Sequence, residues 1–141
     1  MIDVENLVID TVSKAVKTQY SSALIVSDFT DTPASFPCVS IMEIDNSAYR
    51  KTQDNDLQEH HVNVMYEISV YSNKTKGAKS EVKAIMNLVD TTLQNIKFTR
   101  TFKQFIPNKD KTISRMVARF EAVIAEGKTA NGNTVYQVYR K

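Results

Sequence analysis

The segment Gly127-Lys-Thr-Ala-Asn-Gly132-Asn-Thr134 has a spacing close to that of a phosphate-binding loop. In the G-x-x-x-x-G-K-[ST] pattern, a lysine after the second glycine reaches the phosphates, and a helix follows the loop. Here Asn133 takes the position of that lysine, and the residues that follow it favour a β-strand instead of a helix. The segment also contains Asn131-Gly132, a dipeptide that favours a tight hairpin turn. We therefore predict a hairpin turn at 127–133 and no nucleotide site.

The sequence offers equally few residues that could form a metal site or a catalytic site. The two histidines, His60 and His61, are neighbours in sequence, and neighbours on a strand point to opposite faces, so they cannot easily hold one metal ion. Asp54-Asn-Asp56 begins like a calcium loop but lacks the required glycine and terminal glutamate. A histidine base for nucleophilic catalysis would have to come from the same dipeptide. We predict no enzyme activity, no catalytic residue, no metal and no cofactor.

A basic stretch with interleaved phenylalanines runs from residue 97 to residue 111. Such a pattern can bind a nucleic-acid backbone and stack bases. The phenylalanines, however, take the positions of strand core residues, and lysines commonly protect the edge of a sheet. A solvated basic face is therefore favoured over direct nucleic-acid binding. This candidate basic face consists of Arg100, Lys103, Lys109 and Lys111.

Length and composition set the class of protein. A chain of 141 residues with 42% hydrophobic and 24% charged residues predicts one globular domain, residues 1–141. The single cysteine, Cys38, cannot form an internal disulfide. No apolar run approaches the roughly 20 residues of a membrane-spanning helix, and the acidic N-terminus lacks the basic start of a signal peptide. The net charge of +2 is too small to predict a nucleic-acid partner by itself.

The hydrophobic pattern predicts an α+β fold with the order α-β-β-β-α-β-β-β. Apolar residues recur at spacings of three and four in two segments, which we predict to be helices Asp3–Gln19, with Asp3 as N-cap, and Ala78–Ile96. Alternating or continuous apolar runs predict the strands. Their predicted ranges are Ala23–Val26, Cys38–Ile44, Val62–Tyr71, Phe98–Ile106, Ile113–Ile124 and Val135–Tyr139. We expect a largely antiparallel mixed sheet with both helices packed on one face.

A long polar connection, Asn46–Glu59, joins the second and third predicted strands. It is longer than the usual hairpin loop of two to five residues, and loops of this length are usually functional or disordered. Its apolar content is too small to offset the ordering of about a dozen residues at ~1–2 kcal/mol each. We therefore predict a long β-hairpin loop with little fixed structure in the free protein.

Four segments carry a resemblance to a known family. They are Phe36-Pro-Cys-Val-Ser-Ile-Met-Glu-Ile-Asp-Asn46, Met65-Tyr-Glu-Ile-Ser-Val-Tyr-Ser-Asn-Lys-Thr75, Lys79-Ser-Glu-Val-Lys-Ala-Ile-Met86 and Arg115-Met-Val-Ala-Arg-Phe120. With them the chain resembles small proteins encoded in the tail modules of long-tailed phages and prophages of Gram-positive gut bacteria. These proteins form the tail-terminator family, also called tail-completion or head–tail joining proteins.

The resemblance implies a structural role in the virion. Terminators close the end of the tail tube as a ring, typically of six copies, and present a surface to the neck of the head. The implied partners are further copies of the chain, the major tail tube protein and the head completion or connector protein, after assembly in the host cytoplasm. The resemblance is also compatible with a free protein that is monomeric and forms the ring only on the end of the tube, which acts as the template. The alternatives are a head-closure or neck adaptor protein and a nucleic-acid-binding accessory protein.

A ring built from head-to-tail contacts needs two different complementary patches on each subunit. The long hairpin loop and the C-terminal strand are the candidates for these two patches. Both contain tyrosines, which are common at protein interfaces, and the charged residues of the loop can set the orientation of neighbouring subunits. The candidate interface residues are Tyr49, Arg50, Lys51, Asp54, Asp56, Tyr136 and Tyr139.

Overall fold

The computed structural model describes residues 4–28, 33–48, 61–107, 110–128 and 134–139. These residues form, in chain order, α1 (Glu5–Gln19), β1 (Leu24–Val26), β2 (Cys38–Ala48), β3 (His61–Ser72), α2 (Ala78–Asn95), β4 (Thr99–Phe105), β5 (Ser114–Lys128) and β6 (Thr134–Tyr139). The strands form one sheet in the order β1-β2-β3-β5-β4, and β6 also pairs with β5. Among the strands described, only β1 and β2 pair in parallel. The predicted fold class and element order are confirmed.

Both helices pack on one face of the sheet, as predicted. Alternate residues of β3 and β5 point to this face and join the buried stripes of the helices in one apolar core. The ring of Tyr66 packs edge-on against that of Phe98, with 6.0 Å between their centroids. The helices contribute Val8, Val12, Val16, Val82, Ile85, Met86, Val89 and Leu93, and the strands contribute Val39, Ile41, Val62, Val64, Tyr66, Ile68, Val70, Met116, Ala118, Phe120, Ala122 and Ile124.

The helix ends differ slightly from the predicted ones. Val4, which is buried, occupies the N-cap position of α1, and its carbonyl accepts the Val8 N–H at 3.0 Å. The prediction of Asp3 as N-cap is therefore wrong. Helix α2 ends one residue before the predicted end because Lys97 adopts a left-handed conformation with φ of 71°. This turn lets the Phe98 N–H reach the Leu93 carbonyl at 2.9 Å, in the manner of a Schellman cap.

Two strands extend into segments that the sequence assigned to loops. In β2, the register shifts between Glu43 and Asp45, and pairing with β3 then continues through Ala48. The predicted loop at 46–59 is thus wrong at 46–48, and the remainder lies outside the described residues. Strand β5 includes Gly127 and Lys128, which pair with β6 instead of forming the predicted turn. Residues 129–133 of that turn are also outside the described ranges.

A second, smaller apolar cluster covers one end of the opposite sheet face. Cys38, Tyr71 and Ile113 are buried there beneath Leu24, Val26 and Phe36. The Ser40 hydroxyl donates to the Asp28 carbonyl at 2.8 Å, which holds the start of the β1–β2 connection against this face. Strand β2 is thus covered on both sides at Cys38 and Val39, which are both fully buried. Ile44, further along the strand, is 38% exposed.

Packing of the Phe120 ring under α2 gives a stability prediction. The ring is completely buried in the main core, so Phe120→Ala removes its contacts and leaves a cavity. We expect the free energy of unfolding to fall by about 3–5 kcal/mol in urea titrations followed by circular dichroism. Leu7→Ala, at a position 41% exposed, is the control and should cost about 0.5 kcal/mol or less. Similar losses for both variants would contradict the assigned face.

Burial of Cys38 predicts an unreactive thiol. Desolvation raises the pKa of Cys38 from 9.0 to about 11, so the reactive thiolate is about 100-fold scarcer in the folded protein at pH 8. Ellman's reagent should therefore label the native protein at least about 100-fold more slowly than the urea-unfolded chain. Because the unfolded state loses this proton first, stability should also decline as the pH rises from 9 to 11. Equal labelling rates would refute the burial of Cys38.

Candidate assembly surface

The sheet face opposite the helices, called the open face below, carries aligned rows of side chains. Strand register places Met42, Glu67, Arg119 and Phe102 side by side across β2, β3, β5 and β4. Neighbouring residues on the same face of a sheet are close enough for their side chains to interact. This row therefore presents a mixed apolar and charged band beyond the part of the face that Phe36 covers.

Arg119 connects the middle of this row. Its Nε donates to a Glu67 carboxylate oxygen at 3.1 Å, and its guanidinium lies 5.4 Å from the centre of the Phe102 ring. The Arg119 side chain is 47% exposed and that of Glu67 is 22% exposed. Arginine, methionine and aromatic side chains are enriched at protein interfaces. Met42, Phe102 and Arg119 of this row are therefore residue types that are common at protein interfaces.

A second arginine, Arg115, lies on the open face at the end where Phe36 packs against Tyr71 and its neighbours. The Arg115 guanidinium lies 5.4 Å from the centre of the Tyr71 ring, and its NH2 group donates to the Ser69 hydroxyl at 3.5 Å. Tyr71 is fully buried, whereas Arg115 is half-buried. The alternation of side chains along β5 places Arg115 and Arg119 on the face opposite the core. It gave no indication of their partners, because these lie 46 and 52 residues away in the chain.

The candidate interface residues fall into two groups. Tyr49, Arg50, Lys51, Asp54 and Asp56 lie outside the described residues. Tyr136 and Tyr139 belong to β6, where they pair in register with Glu126 and Val123 of β5.

The strand ends that flank both groups lie together. Ala48 and His61 flank the segment 49–60, and His61 is paired with Ala125 of β5. Strand β5 continues to Lys128, which is paired with Thr134. Both connections therefore leave the same end of the sheet, called the hairpin end below.

The residues of the candidate basic face have different surroundings. Arg100 donates to an Asp90 carboxylate oxygen at 2.9 Å, across the β4–α2 contact. Lys103 is exposed on β4, paired in register with Ala118, and Lys109 lies outside the described residues. Lys111 lines two open cavities of about 350 and 590 Å³. Sequence analysis missed these cavities, because their other lysines come from residues 74–79.

Within the described ranges, no three His, Cys, Asp or Glu side chains converge as a metal site would require. Neither of the two described helices has the length and apolar character needed to cross a bilayer.

Comparison with known proteins gives a family. A family model described as tail completion protein gp17 matches residues 11–125, from α1 into β5. Among solved structures, the chain is similar to the sheath/tube terminator of an extracellular contractile injection system, PVC, in its extended state, determined by cryo-EM. The TM-score is 0.46 at 12% identity, and the alignment covers 96% of this chain and 57% of that chain. No curated protein matches.

The Glu67–Arg119 pair should contribute little to folding, because Arg119 is 47% exposed. We expect a double-mutant cycle with Glu67→Gln and Arg119→Gln to give a coupling energy below about 1 kcal/mol in urea unfolding. The Asp90–Arg100 pair, with an arginine 37% exposed, serves as the matched comparison and should fall in the same range. A coupling above about 3 kcal/mol is typical of buried pairs and would contradict an accessible row.

Proposed function

We propose that this chain, which belongs to the tail completion protein gp17 family, closes the end of a phage tail tube as a ring and joins the tail to the head. The observation that carries the proposal is the family match over residues 11–125. It covers α1 from residue 11 onward, all of α2, strands β1 to β4, and β5 as far as Ala125. We infer a non-enzymatic structural role at the tail end of the virion.

Ring closure needs two different patches, and the sheet offers them on separate strands. The segment 49–60 is attached to β2 and β3, whereas β6 lies on the far side of β5. Three strand spacings separate β2 from β6, which is about 14 Å. We propose that the 49–60 segment of one subunit contacts the β6 strand of the next, and that six copies close the ring. Tyr49, Arg50, Lys51, Asp54, Asp56, Tyr136 and Tyr139 are the proposed contact residues.

Open strand edges support contact between subunits. In the described part of the chain, β1 pairs with β2 only, and β4 and β6 each pair with β5 only. Unpaired strand edges present N–H and C=O groups to any strand that approaches. We propose that the tail tube protein and the head completion or connector protein bind the two rims of the ring.

Phage lysates test the function. We compare a phage lacking the gene, the same phage supplied with the wild-type protein, and one supplied with a variant in which a Gly/Ser segment of equal length replaces residues 50–57. Electron microscopy of the first lysate should show overlong tails, or tails and heads left unjoined. The wild-type protein should restore virions, and the replaced variant should not. Normal tails joined to filled heads without any protein would reject the terminator function.

Two controls separate folding from assembly. The urea unfolding midpoint of the replaced variant must match that of the wild type, so that a loss of virions reports on assembly. Arg100→Gln, on β4 away from the hairpin end, should restore virions. If the replaced variant also restores them, the proposed contact is wrong while the terminator function stands.

A further inference from the structure

Five lysines gather at the end of the sheet opposite the hairpin end. They come from the turn after β3, the first two turns of α2 and the loop before β5. This basic corner consists of Lys74, Lys76, Lys79, Lys83 and Lys111, all of them exposed. The two open cavities of about 350 and 590 Å³ meet here and share Lys79, Lys111 and Ser114 in their walls.

Most of this charge is not neutralised within the described part of the chain. Lys74 pairs with Glu81 at 3.1 Å, whereas no salt bridge joins Lys79, Lys83 or Lys111 to a described acid. The ammonium groups of Lys79 and Lys83 lie 5.7 and 6.0 Å from the centre of the Phe105 ring. The ring therefore holds two positive charges on one side of α2.

A second described acid at the corner, Asp110, accepts hydrogen bonds within its own turn. The hydroxyl and the N–H of Thr112 donate to an Asp110 carboxylate oxygen at 2.6 and 2.9 Å. These hydrogen bonds keep the pKa of Asp110 below its usual value. Among the described residues of the corner, the five lysines outnumber the two acids, Glu81 and Asp110.

The remaining cavity walls are rich in hydrogen-bond donors. Hydroxyl groups line the larger cavity beside its lysines, at Thr75, Ser80, Thr112 and Ser114. Lysine ammonium groups and Ser/Thr hydroxyls are among the groups that hold phosphate oxygens of a nucleic-acid backbone without reading its sequence.

The residue type favours a phosphate partner over a protein partner. Lysine is depleted at protein–protein interfaces, where arginine is enriched. The corner has five lysines, and one arginine, Arg115, lines the smaller cavity beside them. Lys79 and Lys83 are four residues apart, which is about 6 Å along α2, and Lys111 shares the walls of both cavities with Lys79. Phosphates of one DNA strand advance by about 3.4 Å each along the duplex axis. Lys79, Lys83 and Lys111, which have no described acidic partner, can therefore each contact one phosphate of a backbone.

We propose that the basic corner binds the phosphate backbone of duplex DNA, independently of base sequence. This surface lies apart from the proposed contact between subunits. The proposal needs neither the ring nor the hairpin end, so it stands or falls separately from the proposed function.

Fluorescence anisotropy with a labelled 30-base-pair duplex tests the proposal at salt concentrations from 50 to 200 mM. Three phosphate contacts predict a fall in affinity of about 40-fold over this range. The variant Lys79→Gln/Lys83→Gln/Lys111→Gln should bind at least about tenfold more weakly at 100 mM salt and lose most of the salt dependence. The matched control, Lys14→Gln/Lys17→Gln/Lys97→Gln, removes the same charge elsewhere and should change affinity less than about twofold.

Several outcomes would overturn the proposal. They are absence of salt-dependent binding by the wild-type protein, and equal losses in the two triple variants, which would indicate only an effect of net charge. A third is binding of labelled poly-glutamate as tight as that of DNA, which would identify an acidic protein as the partner. Circular dichroism of each variant must match the wild type, so that loss of binding reports on the corner.

Discussion

Side-chain alternation along β3 and β5 is the constraint on which the rest of the structure depends. The two strands are paired in register over twelve positions, from His61–Ala125 to Ser72–Ser114. Because alternate residues must fit beneath the two helices, a slip by one residue would move Tyr66 and Phe120 out of the core. The residues between them then have to occupy the open face, so the Glu67–Arg119 contact follows from the packing of the opposite face.

The same periodicity explains how much of the fold the sequence predicts. The stripe of α2 and the alternation of β3 and β5 extend over many residues, and these elements appear where they were predicted. The bulge between Glu43 and Asp45 interrupts the period of β2, so its continuation to Ala48 has no signal in the local pattern. The extension of β5 through Gly127 depends on pairing with β6, a partner that a local pattern does not contain.

Functional surfaces are harder to predict, because they depend on which distant residues the fold brings together. Arg100 and Lys111 belong to one basic stretch of sequence, yet Arg100 pairs with Asp90 of α2 while Lys111 faces cavities lined by Lys79. The tyrosines of β6 lie on a strand, as predicted. Only the sheet order and register show that this strand begins at the same end of the sheet as the strand ends at Ala48 and His61.

The length of the central strands also separates the two surfaces that we propose. Strand β3 has twelve residues, so about 37 Å lie between its ends. The 49–60 connection begins at one end, and the basic corner lies beyond Ser72 at the other. Sites that are far apart and share no partners contribute independently to stability and binding. One subunit can therefore hold its neighbour at the hairpin end while the basic corner stays free for a phosphate backbone, and substitutions at one end leave the other intact.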